Sequence, residues 1–120
     1  MRTGPSNPVV PQTMKIKRVL IEITRARAGS ASIVDAAGRL AGIFTDGDLR
    51  RHLELDASIL ERPVQEVMTR KPKVIHRDRL AAEALQLLRS KKLDELPVID
   101  NRHHPVGLLD VQDLLKAGLV

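Results

Sequence analysis

Two four-residue motifs, Thr45–Asp48 and Asp110–Asp113, each lie where a β-prone run is followed by a helix-prone run. A helix N-terminus presents unpaired backbone N–H groups and a partial positive charge, so it suits a phosphate group. A carboxylate three residues further on can accept hydrogen bonds from two neighbouring ribose hydroxyls. The spacing of the first motif therefore predicts that Thr45 meets a phosphate and Asp48 a ribose.

The same spacing is that of a capping box, in which the N-cap hydroxyl and the carboxylate three residues later satisfy each other's backbone donors. Thr45 and Asp48 fit this pattern, and Asp110 with Asp113 could cap a second helix in the same way. Capping leaves other lone pairs of the carboxylate free to accept hydrogen bonds. A structural role and a ligand-binding role therefore both stay open at these positions.

The two motifs belong to one internal repeat with a constant offset of 65 residues. Gly42–Leu49 aligns with Gly107–Leu114 (107 − 42 = 65). The match continues upstream, where Ser32–Asp35 faces Pro97–Asp100 at the same offset. Self-similarity at a fixed period indicates that a structural unit is repeated. We therefore expect the same order of elements in both copies.

Hydrophobic spacing predicts an amphipathic helix in each copy, because apolar residues recur at i, i+3, i+4 and i+7 and so form one stripe. In the first copy Thr13 is the expected N-cap, and in the second copy Asp78 is. The first stripe consists of Ile16, Val19, Leu20 and Ile23, and the second of Ala81, Ala84, Leu85 and Leu88.

A short strand precedes each helix, a β-hairpin follows it, and a second helix closes each copy. The hairpin strands are predicted at residues 32–34 and 40–44 and at residues 97–99 and 106–109, and the closing helices at about 46–53 and 111–117. We predict an α/β (α+β) fold of two pseudo-symmetric repeats, residues 1–60 and 61–120, each a small mixed sheet with two helices. Their joint, around residues 61–69, should hold a cleft.

The formal net charge of +5 favours anionic partners. Proteins that bind single-stranded nucleic acid usually stack the bases on aromatic side chains, and Phe44 is the only aromatic residue of this chain. A basic surface without aromatic residues favours a solvated face or a small phosphorylated ligand over nucleic acid.

The lack of cysteine excludes a disulfide framework, a thiolate zinc site and a cysteine nucleophile. The apolar runs are far shorter than the ~20 residues that span a bilayer, so a cytoplasmic protein without membrane contact is expected. His103 and His104 are adjacent in a predicted turn, far along the sequence from the other histidines, and no metal site is expected. No serine lies in a nucleophile motif, and no catalytic residue is expected.

Further motifs extend the repeat into a known pattern. Met68–Pro72 is a Met-Thr-x-x-Pro opening and Leu96–Asp100 is a Leu-Pro-Val-Val-Asp type strand, whereas the first copy opens with Met1–Gly4, as if truncated at its leading edge. Together with the Gly-x-x-Thr-x-x-Asp run around Thr45 and Asp48, these residues resemble a tandem pair of cystathionine beta-synthase (CBS) domains, called a Bateman module. The resemblance covers nearly the whole chain.

Residues 42–51 and 113–120 are, more narrowly, similar to the C-terminal part of bacterial arabinose 5-phosphate isomerases, which supply Kdo for lipopolysaccharide or capsule synthesis. In that family a preceding sugar-isomerase (SIS) domain holds the catalytic residues. The resemblance implies that this chain is a piece of a longer protein, that the SIS domain is its partner in cis, and that the chain itself does not catalyse isomerisation.

The resemblance also implies two unequal ligand sites. Thr45 and Asp48 match the family's hydroxyl-plus-carboxylate pattern, whereas Asp110 stands where the family has a hydroxyl and would repel a phosphate. Asp113 matches the ribose-binding position. Apart from the resemblance, Arg50 and Arg51 follow the first motif and could reach a phosphate, and a solvated helix face is the other interpretation of these two residues. By analogy a set of apolar residues, for which ordinary core is the other interpretation, would form the pocket for a base. These residues are Val9, Val10, Ala31, Val74, Ile75, Leu96 and Pro97.

A regulatory role follows from the resemblance. The module is expected to sense a nucleotide or nucleotide-sugar without needing any other cofactor, with CMP-Kdo suggested by the pathway and AMP or ATP by the family. The alternative is an assembly role, in which the module dimerises and holds the isomerase together without binding a small molecule, since CBS pairs commonly associate into homodimers.

Overall fold

The structure is a computed structural model that describes residues 1–79, Gln86 and residues 95–110. Apart from Gln86, the helix predicted at residues 81–88 lies outside the described residues, as do the helix predicted at residues 111–117 and Asp113. The described strands and α-helices are β1 (Val9–Pro11), α1 (Ile16–Ala26), β2 (Ser30–Val34), β3 (Leu40–Thr45), α2 (Asp46–Leu55), β4 (Thr69–Arg70), β5 (Ile75–His76), β6 (Glu95–Ile99) and β7 (Pro105–Asp110).

The first sheet has the strand order β1-β2-β3-β4. Strand β1 runs parallel to β2, with Val10 opposite Ile33. Strands β2 and β3 form an antiparallel hairpin whose open end pairs Ser30 with Thr45. At the closed end, Asp35 Oδ1 accepts hydrogen bonds from backbone N–H groups of the turn, so the side chain shapes the turn locally.

The second sheet, with the order β5-β6-β7, repeats this arrangement. Strand β5 runs parallel to β6, with Ile75 opposite Val98. Strands β6 and β7 form the second antiparallel hairpin, whose open end pairs Glu95 with Asp110. The predicted fold of two repeats, each with a small mixed sheet, is confirmed.

The two repeats exchange their leading segments. Strand β4 comes from the start of the second repeat but pairs with β3 of the first, with Thr69 opposite Ile43. In the mirrored contact, the start of the first repeat pairs with β7 of the second, where Arg2 and Leu108 exchange backbone hydrogen bonds of 2.8 and 2.9 Å. Each sheet therefore contains backbone from the other copy.

Two equivalent glycines allow these segments to approach. A Cβ at Gly42 would lie 2.7 Å from both Met68 Sδ and the backbone oxygen of Thr69. A Cβ at Gly107 would lie 2.5 Å from Met1 Sδ, but there the described neighbours belong to one flexible side chain. The requirement for glycine is therefore stricter in the first repeat, where a backbone atom stands in the way.

We predict that Gly42→Ala lowers the free energy of unfolding by about 1–3 kcal/mol, because the new methyl group must push β4 away from β3. Gly107→Ala is the matched control and should cost clearly less, since the Met1 side chain can rotate away. Urea denaturation of both variants measures the difference. Equal losses would contradict a backbone clash at Gly42.

Helix α1 confirms the predicted hydrophobic stripe. Ile16, Val19 and Ile23 are buried, and Leu20 is partly buried against the core of the first repeat. That core also includes Phe44 of β3, whose side chain is fully buried. The stripe thus packs α1 against the sheet that carries Thr45, as its spacing predicts.

The prediction of Thr13 as N-cap of α1 is wrong. The helix begins at Ile16 after Lys15, and no side chain caps it. Residues 12–14 turn away from β1 instead, and the backbone N–H of Ile16 donates to the carbonyl of Arg62 at 3.0 Å. Because the segment that joins the repeats satisfies this donor, the helix needs no hydroxyl cap.

Candidate functional site

A cleft of about 770 Å³ opens between the two repeats, and we call it the inter-repeat cleft. Its wall in the first repeat is the end of β3 and the first turns of α2, and its wall in the second repeat is the segment after β4 and the start of β6. The lining residues are Gly29, Ile43, Thr45, Asp46, Gly47, Arg50, Arg51, Thr69, Lys71, Pro72, Lys73, Glu95, Leu96 and Pro97.

Helix α2 enters the cleft with a complete capping box. Thr45 is the N-cap, and its Oγ1 accepts a hydrogen bond from the backbone N–H of Asp48 at 3.1 Å. In return the backbone N–H of Thr45 donates to Asp48 Oδ2 at 2.9 Å. The predicted capping interaction is confirmed, and it places the Thr45 hydroxyl and the N-terminus of α2 at the mouth of the cleft.

Asp48 is buried behind this turn rather than on the cleft wall. Its side chain is 6% exposed, and Oδ1 is paired with the guanidinium of Arg51 one helical turn later. The carboxylate therefore holds Thr45 on one side and Arg51 on the other. For Asp48 to accept ribose hydroxyls, the Arg51 guanidinium would have to release Oδ1.

The cleft is lined by more cations than anions. Arg50 and Arg51 come from α2, and Lys71 and Lys73 flank Pro72 in the bend after β4. Lys71 has a φ of 51°, in the left-handed region that side chains other than glycine rarely adopt, so the bend is a strained one. With a helix N-terminus beside four basic side chains, this part of the cleft is suited to an anionic group.

The other predicted pocket residues fall into two groups. Leu96 and Pro97 line the cleft together with Thr45 and Arg50. Val10, Ala31 and Ile75 are buried in the cores of the two repeats and do not reach the cleft lining. Their contact with a base stays a prediction, as does the role of Asp113, which lies outside the described residues.

Asp110 occupies the position of Thr45 in the second repeat, at the end of β7. Its carboxylate lies 3.9 Å from the guanidinium of Arg2, which also donates to the carbonyl of Ala26 at 3.2 Å. A cation thus partly offsets the negative charge of Asp110. The charge that Asp110 presents to a ligand is reduced but not reversed.

Sequence reasoning missed several of the residues that line the cleft, namely Lys71, Lys73 and Glu95. Lys71 belongs to the Met-Thr-x-x-Pro opening, which identified the repeat but gave no sign that its variable positions face a cleft. The two lysines that flank Pro72 were the available signal, because proline interrupts regular structure and such a segment lies at the surface, where both charges stay accessible. Glu95 had no local signal, since only the packing of the repeats brings it here.

For a metal site and for a membrane-spanning helix, the structure bears only on the described residues. Within residues 1–79 and 95–110 there is no group of three or more histidine, cysteine or acidic side chains that could hold a metal ion. His103 and His104 lie in the β6–β7 turn, where His104 Nδ1 is 3.4 Å from Asp100 Oδ2. No helix in the described part of the chain is long and apolar enough to cross a membrane.

This chain is similar in sequence to curated proteins and in fold to solved structures. Arabinose 5-phosphate isomerase KdsD of Pseudomonas aeruginosa is 39% identical to this chain over 120 residues, which is all of this chain and 37% of that protein. The chain thus spans little more than a third of the length of the curated relatives it matches.

Solved structures with the same fold include the CBS-pair protein CBSX2 of Arabidopsis thaliana, at a TM-score of 0.79 and 21% identity over 99% of this chain and 90% of that one. The cytosolic domain of the Mg²⁺ channel MgtE in complex with ATP has a TM-score of 0.77 and 26% identity over 97% of this chain and 46% of that one. The CBS domain family model matches residues 1–55 and 64–120. Two matched copies, two equivalent sheets and exchanged leading strands lead to one conclusion: the chain belongs to the CBS domain family and contains a CBS pair.

Proposed function

We propose that this CBS pair is the effector-binding regulatory module of an arabinose 5-phosphate isomerase. The observation that carries the proposal is the inter-repeat cleft, where the capped N-terminus of α2 with Arg50 and Arg51 faces Lys71 and Lys73 of the second repeat. The effector is a nucleotide or nucleotide-sugar, such as CMP-Kdo, AMP or ATP. Its anionic group lies at Thr45 and Gly47, within reach of Arg50 and Lys71.

The relatives support the isomerase context. The whole chain aligns with arabinose 5-phosphate isomerases at 36–39% identity, yet it accounts for 36–37% of their length. The remainder of such a protein would hold the SIS domain, which carries the catalytic residues and is the partner of this module in cis. The module itself has no catalytic role, and it works in the cytoplasm in Kdo synthesis for lipopolysaccharide or capsule.

The nucleotide class is supported by charge and by likeness. Among the described lining residues, four basic side chains outnumber the acidic ones, Asp46 and Glu95. The similar cytosolic domain of MgtE was solved in complex with ATP. A polyanion with a sugar attached fits a cleft that has basic side chains on both walls and the apolar residues Leu96 and Pro97 in its lining.

Regulation requires the effector to bind one arrangement of the module more tightly than another, since equal affinity would shift nothing. The cleft is built from both repeats, so a ligand that contacts both walls can change the angle between them. The SIS domain would sense this change through the surface on which the module rests.

An assembly role is the second candidate, and exposed apolar side chains favour it. Ile21 on α1 is 47% exposed, and Leu55 at the end of α2 is 85% exposed. Burial of such side chains against a second copy would stabilise a homodimer. This role needs no ligand in the inter-repeat cleft.

Thermal denaturation with AMP, ATP, CMP, CMP-Kdo and arabinose 5-phosphate tests the proposal. A ligand at 100 times its Kd adds about 2.7 kcal/mol, which raises the Tm of a domain this size by about 10 °C. Arg50→Ala should weaken binding about tenfold or more, because one charge-assisted hydrogen bond is lost. Arg39→Ala, which removes an exposed arginine from the other end of the β2–β3 hairpin, is the control and should leave the shift unchanged.

A flat response to the whole panel, together with a dimer in sedimentation measurements, would favour the assembly role instead. A shift that survives Arg50→Ala unchanged would show that the ligand binds elsewhere.

A further inference from the structure

Three residues other than glycine have a left-handed φ in the described part of the chain: Arg27 at 54°, Lys71 at 51° and His103 at 66°. Arg27 ends helix α1, where this conformation is a common way for a helix to stop. His103 lies in the tight β6–β7 turn, where its backbone N–H donates to the carbonyl of Asp100 at 3.1 Å. Lys71 follows β4, away from any described helix end or hairpin turn, and it lines the inter-repeat cleft.

The leading segments of the two repeats are structural equivalents. The side chain of Met68 packs against Gly42 of β3, and the side chain of Met1 packs against Gly107 of β7. Because the two glycines are matched positions of the repeat, the two methionines match as well, at an offset of 67 residues (68 − 1 = 67). The same offset pairs a proline in each segment. It exceeds 65 because the first copy has two more residues between this proline and the strand that follows.

At this offset Gly4 is the equivalent of Lys71 (71 − 4 = 67), and the two residues share one backbone conformation. The φ angles are 56° at Gly4 and 51° at Lys71, and each residue directly precedes a proline. Glycine adopts a left-handed φ freely, whereas the Cβ of any other residue crowds the carbonyl oxygen that follows it. Among the described residues, no heavy atom lies within 4 Å of a Cβ placed at Gly4, so the angle and not the space favours glycine there.

The copy that carries the lysine is the one that faces the capped helix. Strand β4, directly before Lys71, pairs with β3, which ends at Thr45. The segment that carries Gly4 pairs instead with β7, which ends at Asp110. The lysine thus faces a hydroxyl and a helix N-terminus, whereas the glycine faces the strand that ends in a carboxylate. The basic side chain occurs on the side of the module where an anion can bind.

A strained conformation that the chain relieves with glycine in its other copy indicates that the side chain serves a function. We propose that Lys71 is a specificity-determining residue of the inter-repeat cleft, whose ammonium group binds the phosphate of the effector although its backbone conformation lowers the stability of the fold. The inference rests on the proposed function, because it places the phosphate in that cleft. It adds that stability and affinity change in opposite directions when Lys71 is replaced.

Lys71→Gly tests both effects in one variant. It should raise the Tm of the ligand-free protein by about 2–4 °C, because glycine removes the backbone strain. It should weaken binding about fivefold or more, because a charge-assisted contact with phosphate is lost. Thermal denaturation measures the first effect, and titration calorimetry with AMP, ATP and CMP-Kdo measures the second. A variant with a damaged fold would lose both stability and affinity, so the opposite signs separate a binding role from a structural one.

Three further variants separate charge from backbone conformation. Lys71→Asn tolerates a left-handed φ without carrying a charge, and it should lose affinity as Lys71→Gly does. Lys71→Arg keeps the charge and should retain most of the affinity. Gly4→Lys should lower the Tm, since it introduces the same strain in the other copy. Arg70→Gln is the matched control, because it removes the neighbouring charge, which does not line the cleft, and it should leave the affinity unchanged.

The outcomes distinguish this inference from the proposed function. If Lys71→Gly and Lys71→Asn bind the ligand as tightly as the unaltered chain while Arg50→Ala binds it more weakly, the role of Lys71 is overturned and the proposed function stands. A lower Tm for Lys71→Gly would overturn the argument from strain. If AMP, ATP and CMP-Kdo all fail to bind the unaltered chain, the inference and the proposed function fail together.

Discussion

Truncation of Phe44 to alanine is expected to lower the free energy of unfolding by about 3–5 kcal/mol. Phe44 is the only aromatic residue of the chain, and its side chain is fully buried in the core of the first repeat, where it packs in β3 directly before Thr45. Its removal leaves a cavity that the surrounding strands can fill only in part. Chemical denaturation followed by circular dichroism measures the loss.

Two comparisons make this result specific to the cavity. Phe44→Leu retains most of the buried volume and should cost clearly less than Phe44→Ala. Leu55→Ala removes an apolar side chain that is 85% exposed, and it should change stability by no more than about 0.5 kcal/mol. A Phe44→Ala loss as small as that of Leu55→Ala would show that β3 is not held by this core.

Replacement of Asp48 with alanine is expected to have the second large effect, because it should lower both the stability of the protein and its affinity for the ligand. The change removes the acceptor of the Thr45 backbone N–H and the ion-pair partner of Arg51. We expect a loss of about 1–3 kcal/mol in the free energy of unfolding, from the lost cap and the unpaired donor. Because Thr45 and Arg51 both line the cleft, the ligand-induced Tm shift should also fall.

Asp46→Ala is the matched control for this effect. Asp46 is the neighbouring acidic residue of the same helical turn, but it is exposed and has no part in the capping box. It should cost less than Asp48→Ala and, by removing a negative charge from the cleft, should not weaken the binding of an anion. Equal losses for the two variants would mean that general helix-end charge, and not the capping box, holds this turn.

Local patterns predicted the local parts of the structure. The stripe from Ile16 to Ile23 predicts helix α1 because its spacing follows from helix geometry alone. The capping box at Thr45 and Asp48 involves residues three apart and needs no tertiary information. The repeat offset of 65 residues predicts that both hairpins exist, since equal sequence patterns favour equal structures.

Long-range packing explains what the sequence did not predict. Thr13 fits the pattern of an N-cap, but the Arg62 carbonyl supplies the contact from a distant segment. Val10, Ala31 and Ile75 are apolar, and apolar type alone cannot separate the wall of a cleft from a core. Glu95 contacts Gly29 only because the two repeats pack against each other. The two residues are 66 positions apart in the sequence (95 − 29 = 66), so no local pattern predicts their contact.

The exchange of leading segments also bears on how ligand binding could change the structure away from the cleft. Strand β4 is hydrogen-bonded into the first sheet, the lysines that follow it line the cleft, and the chain then enters β5 of the second sheet. The segment that would contact a ligand is therefore held at both ends by strand pairing, with each end in a different sheet. Because the segment between β4 and β5 is short, we expect a displacement of Lys71 or Lys73 to change the orientation of one sheet relative to the other.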